Sequence, residues 1–134
     1  MFPDRVKSSP AMALRIIVAD DNRDTVLSLA TILMQEGHEV REVYRGDAVL
    51  DQVRAYKPDV VLLDIGMPGL TGFEIARHVR QEHGRTHPLL IAVTAWNQKS
   101  AKVLGKLVGF DHYLTKPYST AELLGLIAPL RRTA

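Results

Sequence analysis

Residues 59–69, with the sequence DVVLLDIGMPG, decide the fold of this chain. The four residues from Val60 to Leu63 are all apolar, which is typical of a parallel strand covered on both faces. A loop rich in glycine and proline follows, so the strand ends at Asp64. The segment therefore predicts an open α/β sheet that holds a carboxylate at the carboxyl end of a central strand, where such sheets bind their ligands.

Four further runs predict strands, and helix-like segments separate them. The runs are residues 14–19, 39–44, 89–93 and 111–114. The helices are predicted at about 23–36, 46–56, 71–83, 97–108 and from 119 to about 130. The stripe of the first helix is predicted to consist of Val26, Leu29, Ala30, Leu33 and Met34. Five strands that alternate with five helices predict a doubly wound parallel sheet with the strand order 2-1-3-4-5.

Composition places the chain among ordinary globular domains. It has 134 residues, of which 46% are hydrophobic and 24% charged, and this suits one domain. The formal net charge of +2 gives little support to nucleic-acid binding. The absence of cysteine excludes disulfides, thiolate nucleophiles and cysteine-based metal sites. No apolar run approaches the roughly 20 residues that a membrane-spanning helix needs.

The first 13 residues differ from the rest of the chain. They include two prolines and three charged residues, and they lack the apolar core of a signal peptide. Residues 1–13 are therefore interpreted as a flexible leader or linker, and residues 14–134 as a single domain. A cytoplasmic location is the expectation that follows.

Polar side chains stand at the carboxyl ends of four predicted strands. They are Asp20, Asp21, Asp64, Thr94 and Lys116. Because the carboxyl ends of parallel strands share one edge of the sheet, these groups are expected to meet. Three carboxylates at one place repel one another unless a cation joins them, and oxygen atoms are the ligands that Mg²⁺ prefers. The set predicts a site for a hard divalent cation and a phosphoryl group.

Each of these residues also has an ordinary structural interpretation. Asp20 or Asp21 could cap the first helix, and a threonine in a strand is common. Asp64 has one further property, since a carboxylate held rigidly at an open mouth can act as a nucleophile and form an acyl phosphate. The histidines are not predicted to bind metal, because Gly84 interrupts the helix between His83 and His87. The remaining three, His38, His78 and His112, are expected at the surface or rim.

Four motifs together resemble the receiver domain of two-component response regulators. They are VADDN at 18–22, LDIGMPGLTG at 63–72, VTA at 93–95 and GFDHYLTKP at 109–117. The resemblance covers about residues 14–130. It implies the flavodoxin-like receiver fold and a signalling domain of a phosphorelay that has no separate turnover substrate. Asp64 resembles the phosphoacceptor, Asp21 a direct Mg²⁺ ligand, Asp20 a ligand through water, and Gly66 a ligand through its backbone carbonyl, with Mn²⁺ as an alternative ion.

The resemblance also implies a switch and its partners. Thr94 and Lys116 would contact the phosphoryl group, and Tyr113 would move inward when the Thr94 hydroxyl shifts. Pro117 matches the cis proline of the family. The donor would be a phosphohistidine on a histidine kinase or a phosphotransfer protein, with neither nucleic acid nor membrane as a partner. The switching surface would comprise helix 4, strand 5 and helix 5. A dimer could form through the face made by helices 4 and 5.

Three other interpretations remain open at this level. A haloacid-dehalogenase-like phosphohydrolase would need a second aspartate where Gly66 stands. A flavin-binding domain would need a phosphate-cradling loop after strand 1, where residues 20–22 would instead repel a phosphate. A receiver that acts as an interaction scaffold without phosphorylation is the third. Whether the chain acts alone or belongs to a hybrid histidine kinase, and which target it signals to, is equally open.

Three positions follow no strict rule of the family: Gly66, where many relatives carry a larger side chain, Trp96, and Phe110, where a small residue is common. Trp96 lies two residues after Thr94, and Gly66 lies two residues after Asp64. Both would border the path of water or donor to the phosphoryl group. We hypothesise that Trp96 shields an acyl phosphate from hydrolysis, the alternative being an exposed loop residue or a partner contact. Phe110 is expected to pack in the core.

Overall fold

Five parallel strands form one sheet. The computed structural model describes residues 13–133, and it describes side chains as far as Leu130, so most of the predicted leader lies outside the described residues. The strands are β1 (Arg15–Ala19), β2 (Glu39–Val43), β3 (Val60–Leu63), β4 (Leu89–Thr94) and β5 (His112–Thr115). Their order is β2-β1-β3-β4-β5, which confirms the predicted topology.

Five helices connect and follow the strands. They are α1 (Arg23–Gln35), α2 (Val49–Tyr56), α3 (Gly72–His83), α4 (Lys99–Val108) and α5 (Thr120–Thr133). A 3₁₀ turn at Gly46–Ala48 precedes α2, and α4 begins two residues later than predicted. Within residues 13–133, no helix is both long and apolar enough to cross a membrane.

The sheet is buried on both faces, as the uniformly apolar β3 predicts. Val61 and Leu63 belong to a core that includes residues of α2 and α3, whereas Val60 and Leu62 belong to a core that includes residues of α1 and α5. Successive side chains of a strand point to opposite faces, so a strand between two helical layers is apolar at every position. Phe110 is buried in the α2–α3 core, as expected.

The pairing of the strands brings the site residues to one level. Ala19 of β1 is opposite Leu63 of β3, and the Asp64 N–H donates a hydrogen bond of 2.9 Å to the Ala19 carbonyl. On the other side of β3, Thr94 pairs with Thr115, and the Lys116 N–H donates to the Thr94 carbonyl at 2.8 Å. Parallel pairing therefore holds the carboxyl ends of β1, β3, β4 and β5 at one edge.

Helix caps explain why the two aspartates after β1 remain available. The α1 helix is capped by Asn22, whose side chain accepts a hydrogen bond from the Thr25 N–H at 3.0 Å, and not by Asp20 or Asp21. Thr71 and Glu74 form a capping box at α3. The Ser119 hydroxyl accepts from the Glu122 N–H at 3.0 Å at the start of α5.

Two predictions about burial are wrong. Met34 was assigned to the buried stripe of α1 but is 53% exposed, because it lies about 80° around the helix from Val26 and so at the margin of the stripe. His38 was expected at the surface but is buried. Its Nδ1 accepts a hydrogen bond of 3.2 Å from the Leu14 N–H, and this satisfies a polar atom away from water.

Candidate functional site

An acidic cluster lies at the carboxyl edge of the sheet. Asp20, Asp21 and Asp64 can each bring one carboxylate oxygen within 4.8 Å of the other two. Asp20 is buried, Asp21 is exposed, and the Asp64 side chain is 15% exposed. The cluster therefore runs from the sheet to solvent, and Asp64 lies where a reactant can reach it.

Lys116 is the cation of this cluster. Its Nζ lies 2.8 Å from Asp20 Oδ2 and 3.6 Å from Asp64 Oδ2. Burial lowers the pKa of Lys116, but the hydrogen bond to Asp20 and the charges of both carboxylates outweigh burial and raise the pKa overall. Lys116 is therefore a protonated ammonium group at neutral pH. The peptide bond between Lys116 and Pro117 is cis.

The carboxyl group of Asp64 is held in an unfavourable environment for its charge. Burial raises its pKa above the usual value for aspartate, and the charge of Asp20 raises it further. The Gly66 N–H, which donates to Asp64 Oδ1 at 3.1 Å, opposes this, as do Lys116 and Thr94. The remaining excess of negative charge is the kind that a bound cation relieves.

The donor set fits a hard divalent cation. The three aspartates offer carboxylate oxygens that lie within 4.8 Å of one another. Oxygen ligands and room for water are what Mg²⁺ requires, and exposed Asp21 leaves the cluster open to solvent. Lys116 contributes one positive charge against three negative ones, so the cluster still carries a deficit that a divalent ion would offset.

Thr94 connects the site to the loop that follows β4. Its side chain is buried, and its Oγ1 accepts a hydrogen bond of 3.2 Å from the Trp96 N–H. The carbonyl of Trp96 in turn accepts a hydrogen bond of 2.7 Å from the Tyr113 hydroxyl. Thr94 and Tyr113 are thus linked through the main chain of a single residue.

Trp96 covers the open side of Gly66. A Cβ atom added to Gly66 would lie 3.6 Å from the Trp96 indole, an ordinary van der Waals contact, so the indole lies directly beside Gly66. The ring of Phe73 lies 6.2 Å from that of Trp96, measured between centroids, at an interplanar angle of 47°. The sequence singled out Trp96 and Gly66, but it offered no signal for the contact between the rings of Trp96 and Phe73.

Tyr118 is a second residue near the site that sequence reasoning missed. Burial, with a smaller contribution from the charge of Asp20, raises the pKa of Tyr118 to about 12. The available signal was its position two residues after Lys116. The structure otherwise brings together every residue that the sequence selected, with Tyr113 joined to the cluster through Trp96 and Thr94.

Comparison with known proteins agrees with this geometry. The response regulator receiver domain family matches residues 16–128, and the chain therefore belongs to that family. The BeF3-activated N-terminal receiver domain of Klebsiella pneumoniae RstA is 26% identical over 88% of this chain and 98% of its own, with a TM-score of 0.80.

Two further solved structures are similar over nearly the same length. A putative response regulator from Chloroflexus aurantiacus is 28% identical over 90% of this chain and 98% of its own, with a TM-score of 0.81. A CheY-like receiver domain protein from Methanospirillum hungatei is 25% identical over 90% of this chain and 95% of its own, with a TM-score of 0.82. These likenesses confirm the receiver fold that the motifs implied.

Proposed function

We propose that this receiver domain is a phosphoacceptor of a two-component system, in which Asp64 accepts a phosphoryl group from a phosphohistidine in the presence of Mg²⁺. The observation that carries the proposal is the position of Lys116, whose ammonium lies beside both Asp20 and Asp64 at the open edge of the sheet. A donor histidine kinase or phosphotransfer protein supplies the group. The chain has no separate turnover substrate and catalyses only its own phosphorylation and dephosphorylation.

The transfer uses the Asp64 carboxylate as nucleophile. One oxygen of Asp64 forms a bond to phosphorus as the bond from phosphorus to the donor imidazole breaks, and the released imidazole takes up a proton. Phosphoryl transfer depends mainly on positioning and neutralisation of charge. Lys116 supplies one positive charge, and the Thr94 hydroxyl donates a hydrogen bond to a phosphoryl oxygen.

The acidic cluster completes the neutralisation by holding the metal. Asp21, Asp64 and the Gly66 carbonyl would be its direct ligands, and Asp20 would act through water. When bound, Mg²⁺ or Mn²⁺ neutralises the carboxylates and the oxygens of the incoming phosphoryl group. The raised pKa of Asp64 supports this assignment, because burial and, to a smaller extent, the charge of Asp20 disfavour the carboxylate, and a divalent cation would offset both.

The output is a rearrangement of the surface formed by α4, β5 and α5. A phosphoryl group adds about −1.5 to −2 units of charge and draws Thr94 and Lys116 toward it. Movement of the Thr94 hydroxyl alters its bond to the Trp96 N–H, and the Trp96 carbonyl carries the change to Tyr113. Tyr113 then repacks this surface, which can serve for a partner protein or for a dimer.

Phosphohydrolase chemistry has less support at this site. The second aspartate that a haloacid-dehalogenase-like enzyme needs is replaced by Gly66, and the space beside Gly66 is filled by the Trp96 ring. A scaffold that is never phosphorylated remains the principal competitor. It would retain the fold but would not require Lys116 beside two carboxylates.

Intact-mass analysis after incubation with Mg²⁺ and acetyl phosphate tests the proposal. The parent protein should gain one phosphoryl group, and Asp64→Asn should gain none. Asp24→Asn is the matched control, since Asp24 is an exposed aspartate in the first turn of α1 and is not part of the cluster. It should be labelled like the parent.

The same samples decide between the competing functions. Failure of the parent to gain mass with either acetyl phosphate or a phosphohistidine donor would overturn the proposal and favour the scaffold. Labelling of Asp64→Asn to the same extent as the parent would place the acceptor elsewhere. Loss of labelling on addition of a chelator, restored by Mg²⁺ or Mn²⁺, is the expected sign of the metal.

A further inference from the structure

A basic cleft of about 530 Å³ lies between α3 and α4. Its lining includes residues at the end of α3, at the end of α4 and just before β5. Because β4 and β5 begin at this end, the cleft is at the amino edge of the sheet, opposite the acidic cluster. The cleft and the proposed phosphorylation site therefore share no residue.

Arg80 forms the rigid floor of this cleft. Its guanidinium donates to the carbonyls of Gly109 at 2.9 Å and Pro88 at 2.8 Å, and it forms an ion pair with Asp111 at 2.7 Å. A Cβ on Gly109 would overlap the Arg80 side chain, so glycine is needed for this close approach. The one acidic residue among the lining residues is thus already paired.

Three other cations line the cleft without a partner. They are Arg77, Arg85 and Lys106, all of them exposed. Among the side chains that the structure describes, none forms an ion pair with any of the three. Convergent unpaired cations raise the local concentration of anions, and arginine binds a carboxylate through two parallel hydrogen bonds.

An exposed apolar side chain stands beside these cations. Leu107 lines the cleft and is 77% exposed, the largest exposed fraction among the large hydrophobic residues of the described chain. Covering this apolar surface with a partner would lower the free energy, because the side chain would be removed from water. By contrast, the aromatic residue in the lining, Phe110, is buried and offers no face on which a nucleotide base could stack.

We propose that this cleft binds an acidic segment of a partner protein, with carboxylates against Arg77, Arg85 and Lys106 and an aliphatic side chain against Leu107. Charge complementarity selects an anionic occupant, and the exposed leucine beside the cations selects a peptide over a free polyanion. The segment would dock on the receiver at the edge of the sheet opposite Asp64, and its binding requires no phosphodonor.

Fluorescence anisotropy with three labelled peptides tests this docking site. The first peptide consists of glutamates with two interior leucines, the second has serines in place of the leucines, and the third has lysines in place of the glutamates. The parent protein should bind the first peptide best. The double variant Arg77→Glu/Lys106→Glu should bind it at least about tenfold more weakly.

A matched variant separates the cleft from general attraction between charges. Lys99→Glu/Lys102→Glu makes the same change of net charge at exposed residues of α4 that do not line the cleft. It should bind the first peptide within about twofold of the parent. Leu107→Ala should weaken binding, whereas Leu104→Ala, which removes an exposed leucine outside the cleft, should not.

Several results would overturn the proposal. Equal loss of binding in the two double variants would show attraction to net charge alone. Equal affinity for the leucine and serine peptides, or displacement of the first peptide by an equal concentration of inorganic tripolyphosphate, would make the cleft a site for free anions. Absence of binding by the parent at millimolar peptide would also overturn it. Circular dichroism of each variant confirms that it is folded.

Discussion

The Tyr113 hydroxyl donates a hydrogen bond of 2.7 Å to the main-chain carbonyl of Trp96. Tyr113 lies on β5, and Trp96 lies in the loop after β4. The N–H of Trp96 donates a hydrogen bond to the Thr94 side chain. The bond therefore connects the Tyr113 side chain to the backbone of Trp96, which is also bonded to Thr94 at the acidic site. This gives the proposed switch a physical link that a substitution can remove.

Tyr113→Phe removes that hydrogen bond and leaves the ring. A net hydrogen bond contributes about 0.5–1.5 kcal/mol, so the free energy of unfolding should fall by about 1 kcal/mol. Urea denaturation measures the change. Tyr44→Phe is the control, because Tyr44 donates an equally short bond to exposed Glu42 and should cost almost nothing. An equal effect of both substitutions would count against a special role for the Trp96 carbonyl.

Trp96→Ala should shorten the lifetime of the acyl phosphate. Trp96 fills the space beside Gly66, next to Asp64, and its removal gives water a wider path. We expect the dephosphorylation rate to rise by about threefold or more, which corresponds to a barrier lowered by about 0.65 kcal/mol. The time course of phosphoryl loss, followed by intact mass, measures it.

The control for this substitution is Leu104→Ala. Leu104 is similarly exposed but lies on α4, away from Gly66. Its removal should leave the lifetime unchanged. Dephosphorylation of Trp96→Ala at the parent rate would refute the shielding role and leave Trp96 as an exposed loop residue or a partner contact, the two alternatives that the sequence left open.

Asp64→Asn should stabilise the fold at neutral pH without divalent cations. Burial and the charge of Asp20 raise the pKa of Asp64 in the folded state. A raised folded-state pKa contributes stability at low pH that is lost as the pH rises through that pKa. The ionised carboxylate thus costs stability at pH ~7, and asparagine should recover about 0.5–2 kcal/mol.

The pH and metal dependence of the stability gained by Asp64→Asn tests whether the ionised carboxylate is its cause. The difference between Asp64→Asn and the parent should shrink as the pH falls through the raised pKa of Asp64, because the carboxyl group of the parent then becomes protonated. Addition of Mg²⁺ should stabilise the parent more than the variant. Asp24→Asn, at an exposed position, should show neither effect. A destabilised Asp64→Asn at pH ~7 would refute the proposed cost of ionising Asp64 in the folded state.

Gly109→Ala should destabilise the protein more than Gly84→Ala. Both glycines have positive φ, +121° at Gly109 and +93° at Gly84, so each alanine bears backbone strain of about 1–3 kcal/mol. A Cβ at Gly109 would also overlap Arg80, whereas nothing lies within 4 Å of one at Gly84. Overpacking should add about 1–3 kcal/mol at Gly109. Equal unfolding free energies of the two variants would show that Arg80 adjusts without cost.

Much of the site could be predicted from the ends of strands. The apolar residues Val60 to Leu63 predicted a strand buried on both faces. Because this apolar run ends at Leu63, Asp64 could be placed at the carboxyl end of the strand. Parallel strands share their carboxyl edge, so Asp20 and Lys116 could be placed beside Asp64 without coordinates. The contacts of 2.8 and 3.6 Å from Lys116 agree with that placement.

Burial at the margins could not be predicted in the same way. Met34 and His38 were misjudged because a residue at the edge of a stripe, or just before a strand, is buried only if another segment covers it. For His38 the deciding partner is the Leu14 N–H, 24 residues away in the chain. Such partners have no local signal in the sequence.

The sequence by itself determined the alternation of strands and helices, the sheet topology and the residues at its carboxyl edge, because hydrophobic periodicity and chain connectivity are local properties. Tertiary structure alone decided that Tyr113 bonds to Trp96, that Trp96 packs over Gly66, and that Arg77 and Lys106 face one cleft. Those relationships depend on how elements distant in the chain pack together, and close packing is a property of the whole fold.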